Sequence, residues 1–144
     1  MLTEIKTETE HYFVDENNLK QGEYKDYHDY QFKHLWEHSF RLNDKRHGEY
    51  KQYHYDGTLY VHTFHNHGLR NGTYKKYYEN GVMWVHTTYC HGLIHGEYTT
   101  YEETGLIGHA TFFFQDKNLK VDPDTLTEKD KVYIMMSGRL PPRD

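Results

Sequence analysis

The sequence predicts a mainly β fold: an elongated antiparallel meander of repeated β-hairpins, ended by a short C-terminal helix. Three observations predict it. A strand motif recurs four times, as Gly22-Glu23-Tyr24-Lys25-Asp26-Tyr27, Gly48-Glu49-Tyr50-Lys51-Gln52-Tyr53, Gly72-Thr73-Tyr74-Lys75-Lys76-Tyr77 and Gly96-Glu97-Tyr98-Thr99-Thr100-Tyr101. The turn signals Asp56-Gly57, Asn80-Gly81 and Thr104-Gly105 each fall between segments rich in Tyr, Val, Trp and Thr. Only 35% of the 144 residues are hydrophobic, yet 17% are aromatic, fifteen of them Tyr; that is too aromatic for disorder and too poor in aliphatics for a fully buried aliphatic core.

The elements follow in order. Residues 1–15 form an N-terminal extension outside the repeats, of which residues 1–11 are expected to be extended or loose. Residues 16–121 hold the repeats. In each repeat a tyrosine strand enters a tight two-residue turn, a second strand returns, and a longer connection such as His67-Gly68-Leu69-Arg70-Asn71 or His91-Gly92-Leu93-Ile94-His95 leads on. Two copies depart from the pattern and are expected to be distorted. The first has His28-Asp29-Tyr30-Gln31 in place of the glycine turn and two added residues; the fourth has Gly108 where Trp84 or Tyr60 would be expected. Residues 122–144 read as helix and tail. Thr127-Glu128-Lys129-Asp130 is a capping start, Val132 to Met136 are apolar, Gly138 is a stop, and Pro141-Pro142 forbid continuation.

A two-residue turn at Asp56-Gly57 sets Tyr53 opposite Tyr60 and Lys51 opposite His62; one at Asn80-Gly81 sets Tyr77 opposite Trp84 and Lys75 opposite His86. One face then carries an aromatic double row of Tyr27, Trp36, Tyr53, Tyr60, Tyr77, Trp84 and Tyr101, the candidate binding surface. The other face carries Tyr24, Tyr50, Tyr74 and Tyr98 with Leu59, Val61, Met83, Val85 and Ile107. Lys25, Lys51 and Lys75 beside His38, His62 and His86 form a candidate basic row. Neither face is polar, so the non-repeat ends are expected to cover part of one.

The same reading excludes several function classes. The formal charge is -5, and residues 17–115 hold ten Lys and Arg against eleven Asp and Glu, so the repeats offer no phosphate-neutralising surface and nucleic acid is disfavoured. Of the thirteen His, His38, His62 and His86 lie one repeat apart. Two strands advance a repeat by ~10 Å, while zinc ligands must converge to ~2 Å from the metal, so consecutive rungs cannot share an ion. They read as cross-strand partners of the lysines. The turn residues His65, His67, His91 and His95 have a ligand-like spacing but no acidic residue close in sequence, and no metal or cofactor is assigned. Cys90 is the single thiol, with neither a disulfide partner nor an adjacent motif to activate it; Ser39 and Ser137 lie outside any Gly-x-Ser-x-Gly elbow. The chain reads as a non-enzyme. With no apolar run long enough to span a bilayer and no secretory leader pattern, a cytoplasmic location is expected.

The repeat resembles the MORN repeat, in particular the variant found in bacterial and viral proteins of the YwqK antitoxin type, where Gly-x-Tyr-x-x-Tyr is followed by a second strand and an Asn-Gly-rich turn. The resemblance covers roughly residues 16–121. It implies a non-catalytic protein that binds a partner protein, with toxin neutralisation or inhibition of that partner as the concrete form. The alternatives are a lipid-headgroup or membrane-surface binding module, which would want a basic patch the near-neutral repeats lack, and a His-dependent metal-binding protein.

Overall fold

The computed structural model describes residues 1–143. It consists of one open antiparallel sheet of fourteen strands and a single α-helix. The strands are β1 (Thr3–Lys6), β2 (Glu10–Val14), β3 (Gly22–Tyr27), β4 (Leu35–Leu42), β5 (Lys45–Arg46), β6 (Gly48–Tyr53), β7 (Leu59–Asn66), β8 (Leu69–Arg70), β9 (Gly72–Tyr77), β10 (Met83–Cys90), β11 (Leu93–Ile94), β12 (Gly96–Tyr101), β13 (Ile107–Phe114) and β14 (Lys117–Asn118). The longer strands follow one another in chain order, while β5, β8 and β11 are short returns hydrogen-bonded to β4, β7 and β10. A compact 17.5 kDa monomer would expose about 7,900 Å². This chain exposes 9211 Å², as a single extended layer must.

The two kinds of turn sit the other way round from the sequence expectation. The two-residue turns are Asn43-Asp44, His67-Gly68, His91-Gly92 and Gln115-Asp116, each with both residues at positive φ, and they lie inside the connections read as the longer ones. Asp56-Gly57 instead belongs to a three-residue loop in which only Gly57 takes positive φ, closed by Gly57 N–H to His54 O (3.0 Å) and His54 N–H to Thr58 O (2.8 Å). A two-residue hairpin of the twist-matched type needs both central residues at positive φ, and one glycine supplies only one.

The longer loop shifts pairing by one residue, and a one-residue bulge in the returning strand shifts it back. Tyr53 therefore lies opposite Leu59, Tyr60 is the extra residue, and Gln52 lies opposite Val61. From there inward Lys51 pairs with His62 and Lys75 with His86, as expected. The same shift recurs at Trp36 and Trp84. The fourth unit keeps it too, with Tyr101 opposite Ile107 and Thr100 opposite His109, so the fourth hairpin is regular despite Gly108. The first is distorted as anticipated: its loop runs from His28 to His34 and carries Phe32 at φ 55°. The sheet also reaches beyond 16–121, because β1 and β2 form a hairpin that pairs with β3.

Strand alternation sorts the side chains onto two faces. The first face carries the Lys25, Lys51 and Lys75 side. On the second, Tyr24, Tyr50, Tyr74 and Tyr98 stand opposite Ser39, Thr63, Thr87 and Thr111, all four of which are buried. These cross-strand pairs, joined by Val61 and Val85, are the closest the repeats come to a core. The Thr63 and Thr87 hydroxyls donate to the carbonyls of Thr73 and Glu97 on the next strand, so no hydroxyl is stranded beneath the rings.

The helix α1 (Glu128–Ser137) forms where the sequence placed it. Thr127 and Asp130 make a reciprocal capping box, and Gly138 closes the last turn at φ 71°. It packs on the first face at the C-terminal end of the sheet, where Ile134 joins Phe112 and Leu126 in the one fully apolar cluster and Lys131 pairs with Glu97 at 2.6 Å. Gly138 lies so close to Phe114 that a Cβ there would come within 2.8 Å of its ring, which seats the helix end on β13.

Candidate functional site

The first face carries a file of basic and imidazole side chains across eight strands. Successive cross-strand partners are Lys6, His11, Lys25, His38, Lys51, His62, Lys75 and His86. The row is continuous where sequence reading had only its repeat members. It is not a bare cationic strip. His38 and His62 each share a hydrogen bond with a carboxylate, Glu23 and Glu49, at 3.0 Å, and Lys25 and Lys51 approach the same carboxylates at 3.5 and 3.6 Å. The His38 bond is the main reason Glu23 sits below its ordinary pKa, and His62 does the same for Glu49. Thr73 breaks this pattern in the third repeat. Among the described residues, no three His, Cys, Asp or Glu side chains converge as a metal site would require.

The second face carries a ladder of rings along the rim formed by the hairpin loops. The bulge turns Trp36, Tyr60 and Trp84 onto this side, away from Tyr27, Tyr53, Tyr77 and Tyr101, which stay on the first face opposite Leu35, Leu59, Met83 and Ile107. The expected single double row of seven rings is thus split between the two faces. Each second-face ring is backed by the residue that follows its repeat's last tyrosine: His28 on Trp36 (4.9 Å between centroids), His54 on Tyr60 (4.5 Å) and Tyr78 parallel to Trp84 (4.9 Å, 14°). Those same residues tie the repeats together. His28, His54 and Tyr78 donate to the carbonyls of Tyr53, Tyr77 and Tyr101 in the next hairpin, at 3.2, 3.1 and 2.7 Å. Trp36 and Tyr55, 42% and 58% exposed, are open to a partner. Along this rim, from the second hairpin to the loop of the fourth, an open cleft of about 520 Å³ is lined by Tyr60, Tyr78 and Trp84 together with Glu79 and Glu103.

Toward the opposite rim the second face holds a charged nest. Glu37 occupies the position of Val61 and Val85 in the later repeats and is only 5% exposed. Burial pushes its pKa up, but donors from Arg46 and Ser39 and the charges of Arg46 and Arg41 outweigh that and hold it below the ordinary carboxylate value. Arg41, Arg46 and Arg70 lie over Tyr24, Tyr50 and Tyr74 respectively. His65 sits in the same region with its Nδ1 buried and unpartnered among the described residues. Burial first, then the charges of Arg46 and Arg70, depress its pKa to about 4.

This depression gives a signed pH dependence. An unfolded His titrates near 6.5, so between about 6.5 and 4 the unfolded chain binds the proton and the native chain does not. Stability should fall as pH drops through that window, by about 1 to 2 kcal/mol for a group still partly open to solvent. Urea unfolding at pH 7 and pH 5.5 of wild type and His65→Phe checks it: the variant should lose most of the difference. Carboxylates held below their ordinary value, such as Glu23 and Glu49, are half protonated near about 4.5 in the unfolded chain and add their own loss of stability as pH falls from about 5.5 through that value, which is why the comparison stops at about pH 5.5.

Several residues of the ladder were not singled out by sequence reading: His28, His54, Tyr78, Tyr55, Lys76, Glu79 and Glu103. A signal for three of them was present, since the position after each Gly-x-Tyr-x-x-Tyr motif reads His28, His54, Tyr78 and Glu102. Cys90 ends β10 exposed, and the turn residues His67 and His91 use their positive φ to make two-residue turns.

With this geometry in place, comparison with known families is informative for two of the hairpins. The MORN repeat variant matches residues 46–67 and 70–91, the second and third units. Among curated proteins, none matches the chain. Repeats of this kind are generally interaction modules for proteins or membranes, and generally non-enzymatic. Two segments of the chain are therefore similar to the MORN repeat variant, and they lie within a longer run of like hairpins.

Proposed function

We propose that the chain is a non-catalytic repeat protein that binds a partner protein through the ring ladder of Trp36, Tyr60 and Trp84, and that binding neutralises or inhibits that partner in the cytoplasm. The observation that carries this reading is the ladder itself. Rigid rings at one-repeat intervals, backed by their neighbours and open on one side, supply contact area at little conformational cost, which is why Tyr and Trp dominate interface energies. The four first-face tyrosines, each paired with an aliphatic residue, take a supporting part.

Affinity capture from the native host with the full chain tests the reading. Wild type and a His38→Ala first-face variant should hold the same partner, while Trp36→Ala and Tyr60→Ala should lose it. Co-sedimentation with vesicles containing anionic lipid, undiminished by Trp36→Ala, would count for a membrane-surface role instead. Such a role would fall to the lysine file of the first face, where Glu23 and Glu49 already offset Lys25 and Lys51.

A further inference from the structure

Resting on that reading, we propose that the partner presents a Lys- or Arg-rich segment whose cationic side chains seat between the rungs of the ring ladder. The chain already makes one such contact with itself. The Lys76 ammonium stands between two rungs, 5.0 Å from the Tyr60 ring centroid and 4.2 Å from that of Trp84. Gln52 holds the equivalent register position one repeat earlier: it pairs with Glu37 and Val61 as Lys76 pairs with Val61 and Val85, so it lies in the interval between Trp36 and Tyr60. Among the described residues no Lys or Arg stands over the Trp36 ring, and Tyr60 meets a cation only in Lys76, on its other side. The ladder thus repeats a cation seat and leaves one unfilled.

The surrounding charge selects for the same ligand. Glu79 and Glu103 line the cleft beside Trp84, and among the described residues neither has a Lys or Arg within 4.0 Å; Glu79 meets only His54, at 3.9 Å. The five hairpin loops on this rim hold six carboxylates against Lys33 alone, a net of -5, whereas the four connections on the opposite rim (residues 15–21, 43–47, 67–71 and 91–95) net +1. An acidic segment or an anionic bilayer would be repelled by this rim, and a neutral segment would leave both the carboxylates and the ring faces unused.

Fluorescence anisotropy on the full chain tests this with a labelled Arg-Gly repeat peptide and its Gln-for-Arg and Glu-for-Arg counterparts. The Arg peptide should bind about tenfold or more tighter than the Gln peptide, and the Glu peptide least. Gln52→Lys, which fills the open seat from within, should weaken Arg-peptide binding about tenfold, while Asn71→Lys adds the same charge on the opposite rim and should change it little. The Glu79→Gln, Glu103→Gln double variant, altered only at loop carboxylates, should weaken it comparably and keeps the test open should Gln52→Lys fail to fold. Equal binding of the Arg and Gln peptides, or equal effects of Gln52→Lys and Asn71→Lys, would overturn the proposal. Capture of the native partner separates the two levels: if the double variant retains it and Trp84→Ala loses it, the basic partner is wrong and protein binding stands. If Trp84→Ala retains it as well, the protein-binding reading fails.

Discussion

Replacing Glu37 by Ala should cost about 3 kcal/mol of stability at pH 7, the low end of what breaking a buried ion pair costs. Glu37 is almost fully buried and is the shared acceptor for Arg41, Arg46 and Ser39. Without it the Arg41 guanidinium, only 10% exposed, stays beneath the sheet surface with no counter-charge. Arg46 can swing into water, which keeps the loss from being larger. The repeat suggests a rescue. Val61 and Val85 fill this position in the later hairpins, so Glu37→Val combined with Arg41→Met should recover most of the loss, because apolar packing commonly replaces a buried pair without penalty. Urea midpoints of the three proteins check this, and a Glu37→Ala variant within about 1 kcal/mol of wild type would refute it.

A second large effect is expected at the other end of the molecule. Ile134 is fully buried against Phe112 and Leu126, so Ile134→Ala should cost about 3 kcal/mol, within the usual range for emptying a well-packed apolar site. The loss should be local. In a repeat sheet each unit touches mainly its neighbours, so the helix should undock and the amides of β12 and β13 exchange faster while those of β3 and β4 change little. Hydrogen exchange reads this directly. A uniform loss of protection along the sheet would mean that the structure behaves as one cooperative block.

The four Gly-x-Tyr-x-x-Tyr copies, the long strands and the capped helix were legible because each rests on local chemistry: alternation, glycine spacing and a Thr-x-x-Asp start. The basic file was legible as well, since Lys51 opposite His62 and Lys75 opposite His86 depend only on the net register. The ring ladder was not. Its side of the sheet is decided by two opposing one-residue shifts, the three-residue loop at Tyr55-Asp56-Gly57 and the bulge at Tyr60, which cancel beyond Gln52. A reading that assumes neither gets Lys51 right and Tyr60 wrong. The bulge exchanges the sides of Leu59 and Tyr60, which is how seven rings expected on one face became four and three. Glu37 was hidden for a different reason. A carboxylate at a valine position looks solvent-facing until Arg41 and Arg46, from either side of the Asn43-Asp44 turn, are seen to fold over it.

The central claim is that the second face, through its rings, is where the partner binds, and two residues on one strand test it most directly. Trp84 and His86 are two places apart on β10, yet the bulge puts the indole on the second face and register puts the imidazole on the first, opposite Lys75. Titration of the captured partner against Trp84→Ala and His86→Ala, with a melting temperature for each, is the measurement. The account predicts that Trp84→Ala weakens binding by about tenfold or more while its melting temperature falls by less than about 5 °C, and that His86→Ala changes neither appreciably. A His86→Ala variant that loses binding at full stability, with Trp84→Ala still binding, would contradict it and move the site to the first face.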